Sequence, residues 1–452
     1  MIKISLLLFH SHSKECLYFV HSAKVKKMTA YQNTLEFAQS KDQSDPLKEF
    51  RNEFNFPKVN GKQVIYFTGN SLGLQPKKSA EAVEKELTNW AELAVEGHFY
   101  AETPWWDYHK IHKEISADLV GAKESEVVVM NTLSVNIHLL MVSFYRPTQE
   151  RYKILCEAKA FPSDQYILET QAKHHGFDPD ETIIEVGPRE EEHLLRTEDF
   201  LQAIEDHGDE LALLMIGGVN YYTGQRLDMQ TITAAAKAKG IVVGWDLAHA
   251  AGNVELELHN WDVDFASWCT YKYLNSGPGS LSGVFVHEKH GTNPELNRFA
   301  GWWGYDQDTR FLMEKGFKPM KGADGWQLSN APILGIAPHL PALEQFQRAG
   351  KKNLFAKRDD ITAYLEFVLG CISEESESVS FEVLTPKNPA ERGTQLSVFI
   401  HGKGREVFEY LMKEGVIVDW REPNVIRCAP VPLYTSYEDI FRFGQVLKAA
   451  VK

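Results

Sequence analysis

Four places in the chain put polar side chains where a buried strand should end, which is where an open α/β sheet binds its ligands. The run Ile241-Val242-Val243-Gly244-Trp245 closes on Asp246, with His249 in the turn that follows. An aspartate there either caps the next element or faces the N–H of a heterocycle, as a cofactor with a protonated pyridine nitrogen requires. Phe265-Ala266-Ser267-Trp268-Cys269 leads to Tyr271 and Lys272, then to the small-residue turn Asn275-Ser276-Gly277-Pro278-Gly279. A lysine is by default a surface residue. Burial among aromatic groups would instead lower its pKa towards what a Schiff-base amine needs. After Val127–Met130 the chain reaches Asn131, Thr132, Leu133 and Ser134, the start of a helix whose free N–H groups and Ser134 hydroxyl suit a phosphate, or a plain N-cap. After Lys153–Cys156 come Phe161, Pro162, Ser163 and Asp164, either an ordinary loop or a flat ring beside short polar groups, able to stack on a planar cofactor.

Strands and helices must position these residues, and composition permits it. The 452 residues are 43% hydrophobic, 12% aromatic and 24% charged, ordinary for a globular protein. Forty-eight basic against 62 acidic side chains give a net charge of −14, which repels phosphate backbones and anionic lipid, so neither nucleic acid nor membrane is an expected partner. No apolar run approaches the roughly 20 residues that span a bilayer. The short stretch Ile4–Phe9 ends at His10, Ser11 and His12 without a cleavage motif, and residues 1–27 are read as a dispensable extension. Five widely spaced cysteines, 16, 156, 269, 371 and 428, with no C-x-x-C pair, encode neither a zinc cluster nor a disulfide framework. They read as reduced thiols of a cytoplasmic protein, and no metal is expected.

Continuous apolar strands separated by helical stretches point to a mainly parallel sheet covered on both faces. The strands are Val127–Met130, Lys153–Cys156, Leu211–Ile216, Ile241–Trp245, Phe265–Cys269 and Val284–His287. Residues 79–96 read as a helix with Ala82, Val83, Leu87 and Trp90 on one face. After Pro332 a long helix (about Ile336–Ala349, then Leu354–Val368) leads to strands at Gln395–Ile400, Val416–Trp420 and Ile426–Ala429, with a helix at Arg405–Glu414 and an acidic surface loop at Glu374–Ser378. The expected division is an N-terminal segment, 28–74, packing on the small domain; a large α/β domain, 75–315; and a small α+β domain, 316–452.

Phosphate seat, stacking ring, aspartate and later lysine follow the chain order of a fold-type I pyridoxal 5′-phosphate (PLP) enzyme. The resemblance sharpens to the kynureninase family through Tyr66–Gly73, Met130–His138, Phe161–Asp164, Trp245–Ala250, Tyr271–Asn275, Leu328–Pro332 and Ile426–Tyr434. It runs from about Phe67 to Tyr434.

The resemblance implies a large PLP-binding domain with a mainly parallel, seven-stranded type of sheet plus a smaller C-terminal domain. It implies hydrolysis of L-kynurenine or 3-hydroxy-L-kynurenine to anthranilate or 3-hydroxyanthranilate and alanine, in tryptophan degradation or NAD biosynthesis, by a homodimer. Lys272 would hold PLP and move the α-proton, Asp246 would keep the ring nitrogen protonated, and His249 would lie near the ring as a neutral group. Phe161 would stack on its face, in the segment shared with Pro162, Ser163 and Asp164. Leu133, Ser134, Tyr271, Trp302 and Asn330 resemble the phosphate-holding residues, the last two supplied by the chain itself or by a neighbouring subunit. Tyr271 is also the implied proton donor for carbon–carbon cleavage. Arg427 resembles the arginine that grips the substrate α-carboxylate, while His98, Asn330, Trp302 and Trp303 would line the pocket for the aromatic ketone.

Two positions depart from the family pattern. Gly217 stands where animal members carry Ser, which removes one side-chain phosphate contact, and Trp303 replaces Phe, which bears on the choice between the two kynurenines. The competing expectations are a cysteine desulfurase or selenocysteine lyase, which needs a mobile cysteine on a loop, and a catalytically dead PLP-binding scaffold.

Overall fold

The computed structural model describes residues 31–376 and 379–452, so the 1–27 extension and Cys16 lie outside the described residues. Seven strands form the central sheet: β1 (Val127–Met130), β2 (Lys153–Glu157), β3 (Ile183–Val186), β4 (Leu211–Gly217), β5 (Val242–Asp246), β6 (Phe265–Cys269) and β7 (Ser282–Val286). Their order is β1-β7-β6-β5-β4-β2-β3, with β7 antiparallel to both its neighbours and the other pairings parallel. Every residue of β1, β6 and β7 is buried, as the unbroken apolar runs require of strands covered on both faces. Side chains alternate between two cores. Val243, Trp245, Ala266 and Trp268 enter one, and Val128, Met130, Phe265 and Val284 the other.

The helices used below are α1 (Leu35–Ser44), α2 (Lys78–Leu93), α3 (Leu133–Phe144), α4 (Pro162–His174), α5 (Met229–Ala238), α6 (His339–Ala349), α7 (Lys351–Glu375), α8 (Gly404–Lys413) and α9 (Tyr437–Ala450). A second, antiparallel sheet follows, of β8 (Ser380–Val383), β9 (Leu396–His401), β10 (Asp419–Arg421) and β11 (Val425–Cys428), in the order β8-β9-β11-β10. Helices α7 and α9 share a core with it, and α1 packs against α9. The segment before the large sheet is tied to this unit too, since Ile65–Tyr66 pairs in parallel with Val416–Ile417.

Four expectations change. Ile183–Val186 is an edge strand, a role its half-buried pattern hid from a reading based on continuous apolar runs. Residues 416–420 are two short strands serving different sheets. Glu374 and Glu375 end α7 and so belong to a helix; residues 377 and 378 of the acidic loop lie outside the described residues. On α2 the buried positions are Ser79 and Glu86, while Leu87 and Trp90 are 44% and 60% exposed. Glu86 is buried because it accepts hydrogen bonds from Trp105 Nε1 (2.8 Å) and Tyr108 Oη (3.1 Å), which turns the apolar stripe outward.

One turn locks the two units together. Gly73 donates its N–H to the Tyr271 carbonyl (2.8 Å), and a Cβ at Gly73 would lie 2.5 Å from the Lys272 carbonyl oxygen. Gly73→Ala is therefore expected to cost about 1–3 kcal/mol of stability by overpacking. Thermal denaturation would read this as a lowered melting temperature, and an unchanged one would mean the turn is free to move.

Candidate active site

Strand register brings the polar strand ends level. Asp246 pairs with Gly217 on one side and Ser267 on the other, so β4 and β5 finish level and β6 runs two residues further, to Cys269. A cavity of about 400 Å³ opens there, lined by Leu133, Ser134, Glu157, Phe161, Ser163, Asp164, Asp246, His249, Tyr271, Lys272 and Arg427, among others. Three residues past the end of β6, Lys272 lies in a segment fixed by Ser276 N–H on Thr270 O (3.1 Å) and Asn275 N–H on Lys272 O (3.1 Å).

Lys272 Nζ lies 3.0 Å from His249 Nε2 and 5.8 Å from the centre of the Phe161 ring. Burial, followed by the Lys272 charge, drives the His249 pKa well below its ordinary value, so the imidazole is neutral. With Nε2 accepting from the lysine, the ring proton sits on Nδ1, a buried atom without a partner. Asp246 answers both readings of its position. One oxygen caps the next turn by accepting the Ala248 N–H at 2.6 Å, and the carboxylate also lines the cavity.

Negative charge gathers beside it. Burial and the neighbouring Asp246 push the Asp164 carboxyl well above the usual range, and its Oδ1 is buried without a partner. Glu157, the last residue of β2, is pushed up to about 7, mainly by burial. It accepts the Gly217 N–H at 3.2 Å, and a Cβ at Gly217 would fall 2.9 Å from its Oε1. Glu157 thus occupies the space that a serine side chain at 217 would need.

At the opposite wall, α3 begins after Thr132, which makes no side-chain cap, so the first-turn N–H groups of Leu133 and Ser134 have no partner within their own helix. The Phe161 ring is 43% exposed and meets Tyr221 edge-on at 5.3 Å. Pro162 takes the first position of α4 and is not among the lining residues. Burial, then the neighbouring Cys269, raises the Tyr271 phenol, which keeps its proton at neutral pH.

Arg427 comes from the second sheet. It sits on β11, an internal strand between β9 and β10, away from the edges of that sheet. It is 1% exposed, donates to Tyr221 O (2.7 Å), Ser71 Oγ (3.3 Å) and Asp419, and leaves Nε buried without a partner. Desolvation lowers its pKa, against the pull of Asp419.

Four expected residues lie elsewhere in the single chain. His98 and exposed Asn330 line a separate groove of about 380 Å³ with Trp105, and His98 Nδ1 faces Val95 O at 3.0 Å. Trp302, 46% exposed, and buried Trp303 pack with Trp106 and Phe311 around the Arg310 guanidinium. Conversely, Glu157, Tyr221, Arg421 and Asp419 belong to the site and were not singled out. Glu157 carried a usable signal, since it closes the apolar run Ile154-Leu155-Cys156 just as Asp246 closes its own strand.

Crowded carboxyls at one wall, with an unpartnered oxygen, call for a cation, and an uncapped helix start at the other calls for an anion. Both demands, with an amine and an exposed ring between them, fit PLP, which carries a protonated pyridine and a phosphate. No described cysteine suits sulfur transfer. Cys371 lies within α7 and Cys428 on β11, both buried.

Two family models match the chain: Aminotransferase class-V over residues 65–300 and Kynureninase C-terminal domain over residues 356–447. Curated kynureninases from Flavobacterium johnsoniae and Flavobacterium psychrophilum are each 61% identical over 421 residues, covering 93% of this chain and 99% of theirs. Among solved structures, the apo cysteine desulfurase of Thermococcus onnurineus superposes with a TM-score of 0.69 at 18% identity, over 91% of this chain and 98% of that one, a likeness of fold alone.

Proposed function

Because the chain belongs to the kynureninase family, we propose that the cavity around Lys272 cleaves L-kynurenine, its 3-hydroxy form or both, giving anthranilate or 3-hydroxyanthranilate and L-alanine. The protein is a PLP-dependent hydrolase of carbon–carbon bonds. The observation that carries the site assignment is the meeting of Lys272, Asp246 and the buried Arg427 on one cavity.

When bound, PLP supplies an aldehyde that condenses with amines and a ring that takes up the electrons left on the substrate α-carbon. The protein does the rest. Lys272 would hold the cofactor, and its amine would move the α-proton. Asp246, backed by Asp164, would keep a proton on the ring nitrogen. Neutral His249 orients the lysine without adding charge, and Phe161 covers the ring. Leu133 and Ser134 present N–H groups to the phosphate. Tyr271, still protonated, delivers a proton as the carbon–carbon bond breaks. Arg427 binds the α-carboxylate, a match of planar fork to carboxylate that lysine does not reproduce.

Residues 75–315 form the cofactor-holding domain in this reading, 316–452 the small domain and 28–74 the segment packed on it. The working form is a homodimer. Exposed Leu87, Trp90, Phe99, Trp302, Phe311 and Leu312 support it, because single chains rarely leave so many large apolar side chains in water. A second copy covering them would bring Trp302 and Asn330 to its neighbour's cavity, with His98 and Trp303 shaping the aromatic end. None of the described helices is long and apolar enough to cross a membrane; the reading places the enzyme in the cytoplasm.

Purified protein is expected to be yellow, to bleach with borohydride, and to yield a PLP-labelled peptide containing Lys272. It should release fluorescent anthranilate from kynurenine and sediment at twice the chain mass. Sulfide from cysteine in place of anthranilate would give the desulfurase reading, and a colourless inert protein the scaffold.

A further inference from the structure

Far from the cavity, at the opposite end of the central sheet, a second group of ligating side chains converges. Glu126 immediately precedes β1, His287 immediately follows the antiparallel β7, and His259 lies in the connection from β5 to β6. One ligand atom from each lies within 4.8 Å of the other two. Glu126 is fully buried, and its Oε1 is 2.9 Å from His259 Nδ1 and 3.7 Å from His287 Nδ1. Ligand atoms around a tetrahedral zinc ion with bonds of 2.0–2.1 Å stand about 3.3 Å apart, and the two measured separations bracket that spacing.

The surroundings prepare the donors. Glu126 Oε2 accepts the Lys123 N–H (2.9 Å) and Oε1 accepts the Glu288 N–H (2.8 Å), which fixes the carboxylate. His287 Nδ1 accepts the Lys289 N–H at 3.3 Å, a long bond that a zinc ion would displace to reach the same lone pair, and its proton is on Nε2, which lies 3.6 Å from Asp262 Oδ1. A carboxylate behind the far nitrogen of a ligating histidine is the usual support of a metal site. The nearby Lys289 is already paired with Asp262 and Asp264. The two imidazoles stack at 4.9 Å and 21°, an arrangement that two positive rings would resist. His259 keeps 25% of its side chain exposed, leaving an approach for water as a fourth ligand.

We propose that Glu126, His259 and His287 bind one zinc ion that fastens the edge strand β1 to β7 and to the β5–β6 connection. Two imidazoles and a carboxylate suit this borderline divalent ion better than magnesium or calcium, which prefer all-oxygen shells. The site is built from residues that the catalytic reading does not use.

The test uses PLP-loaded protein, stripped with a chelator and re-equilibrated with zinc alone. Wild type should retain one zinc per chain more than the His259→Gln variant, whose amide can still donate to Glu126 and so keep the fold. Competition with a chromogenic chelator should show affinity at this site reduced at least about 10-fold in His259→Gln and in His287→Ala. Zinc should raise the melting temperature of wild type and leave that of both variants unmoved, while kynurenine turnover without zinc stays equal in all three. Equal zinc content in wild type and His259→Gln would overturn the proposal, as would a zinc-dependent rise in melting temperature that survives in both variants.

Discussion

Lys272→Ala is expected to lose at least about 10⁴-fold in kcat for kynurenine, because one substitution removes both the amine that holds the cofactor and the base that moves the α-proton. The fold should survive. The ammonium has His249 Nε2 as its hydrogen-bond partner, and the segment around Lys272 is held by backbone bonds that alanine keeps. Anthranilate fluorescence under steady-state conditions measures the loss, with thermal denaturation as the control for folding. Activity within about tenfold of wild type would assign the proton transfer to another group, and Tyr271 and His249 would be the first to examine.

Arg427→Lys should lower kcat/KM by about 10- to 150-fold, the equivalent of losing a charge-assisted hydrogen bond worth about 1.5–3 kcal/mol. Arginine keeps an Nε that has no protein partner while Asp419 and Ser71 hold its Nη2, whereas lysine offers one point charge that Asp419 can take for itself. An amine substrate without an α-carboxylate separates this role from a structural one, since its turnover should be insensitive to the substitution. Equal kcat/KM for kynurenine in both proteins would remove Arg427 from carboxylate binding.

The main features of this arrangement are readable from sequence where chemistry coincides with strand periodicity. Asp246 and Lys272 each follow an apolar run too continuous to be anything but a covered strand, so their place at strand ends follows from the chain, while their relative level comes from the strand register. Arg427 is legible only through the family resemblance, and its partner Asp419 is not, because a lone aspartate on a short strand looks like any surface residue. Glu157 closes its apolar run as Asp246 does, but only the folded chain brings it beside Gly217. The outward face of α2 could not be deduced. Its apolar stripe satisfies helical periodicity whichever way it faces, and only the burial of Glu86 by Trp105 and Tyr108 shows that it is turned away from the chain's own core. His98, Trp302, Trp303 and Asn330 carry no strand-end signal, and a single chain leaves them outside the cavity.

The crowding of Glu157, Asp164 and Asp246 has a consequence for the life of the protein in a cell. In a chain emptied of PLP, burial and mutual proximity hold Asp164 and Glu157 above the usual carboxylate range, and the folded state carries a cost that a bound cation would offset. Ligand present at a thousand times its dissociation constant contributes about 4 kcal/mol to the folded state. Proteases attack chains that open, and an opening cost changed by that amount shifts abundance severalfold. Vitamin B6 supply should then govern how much of this protein persists as well as how fast each copy works.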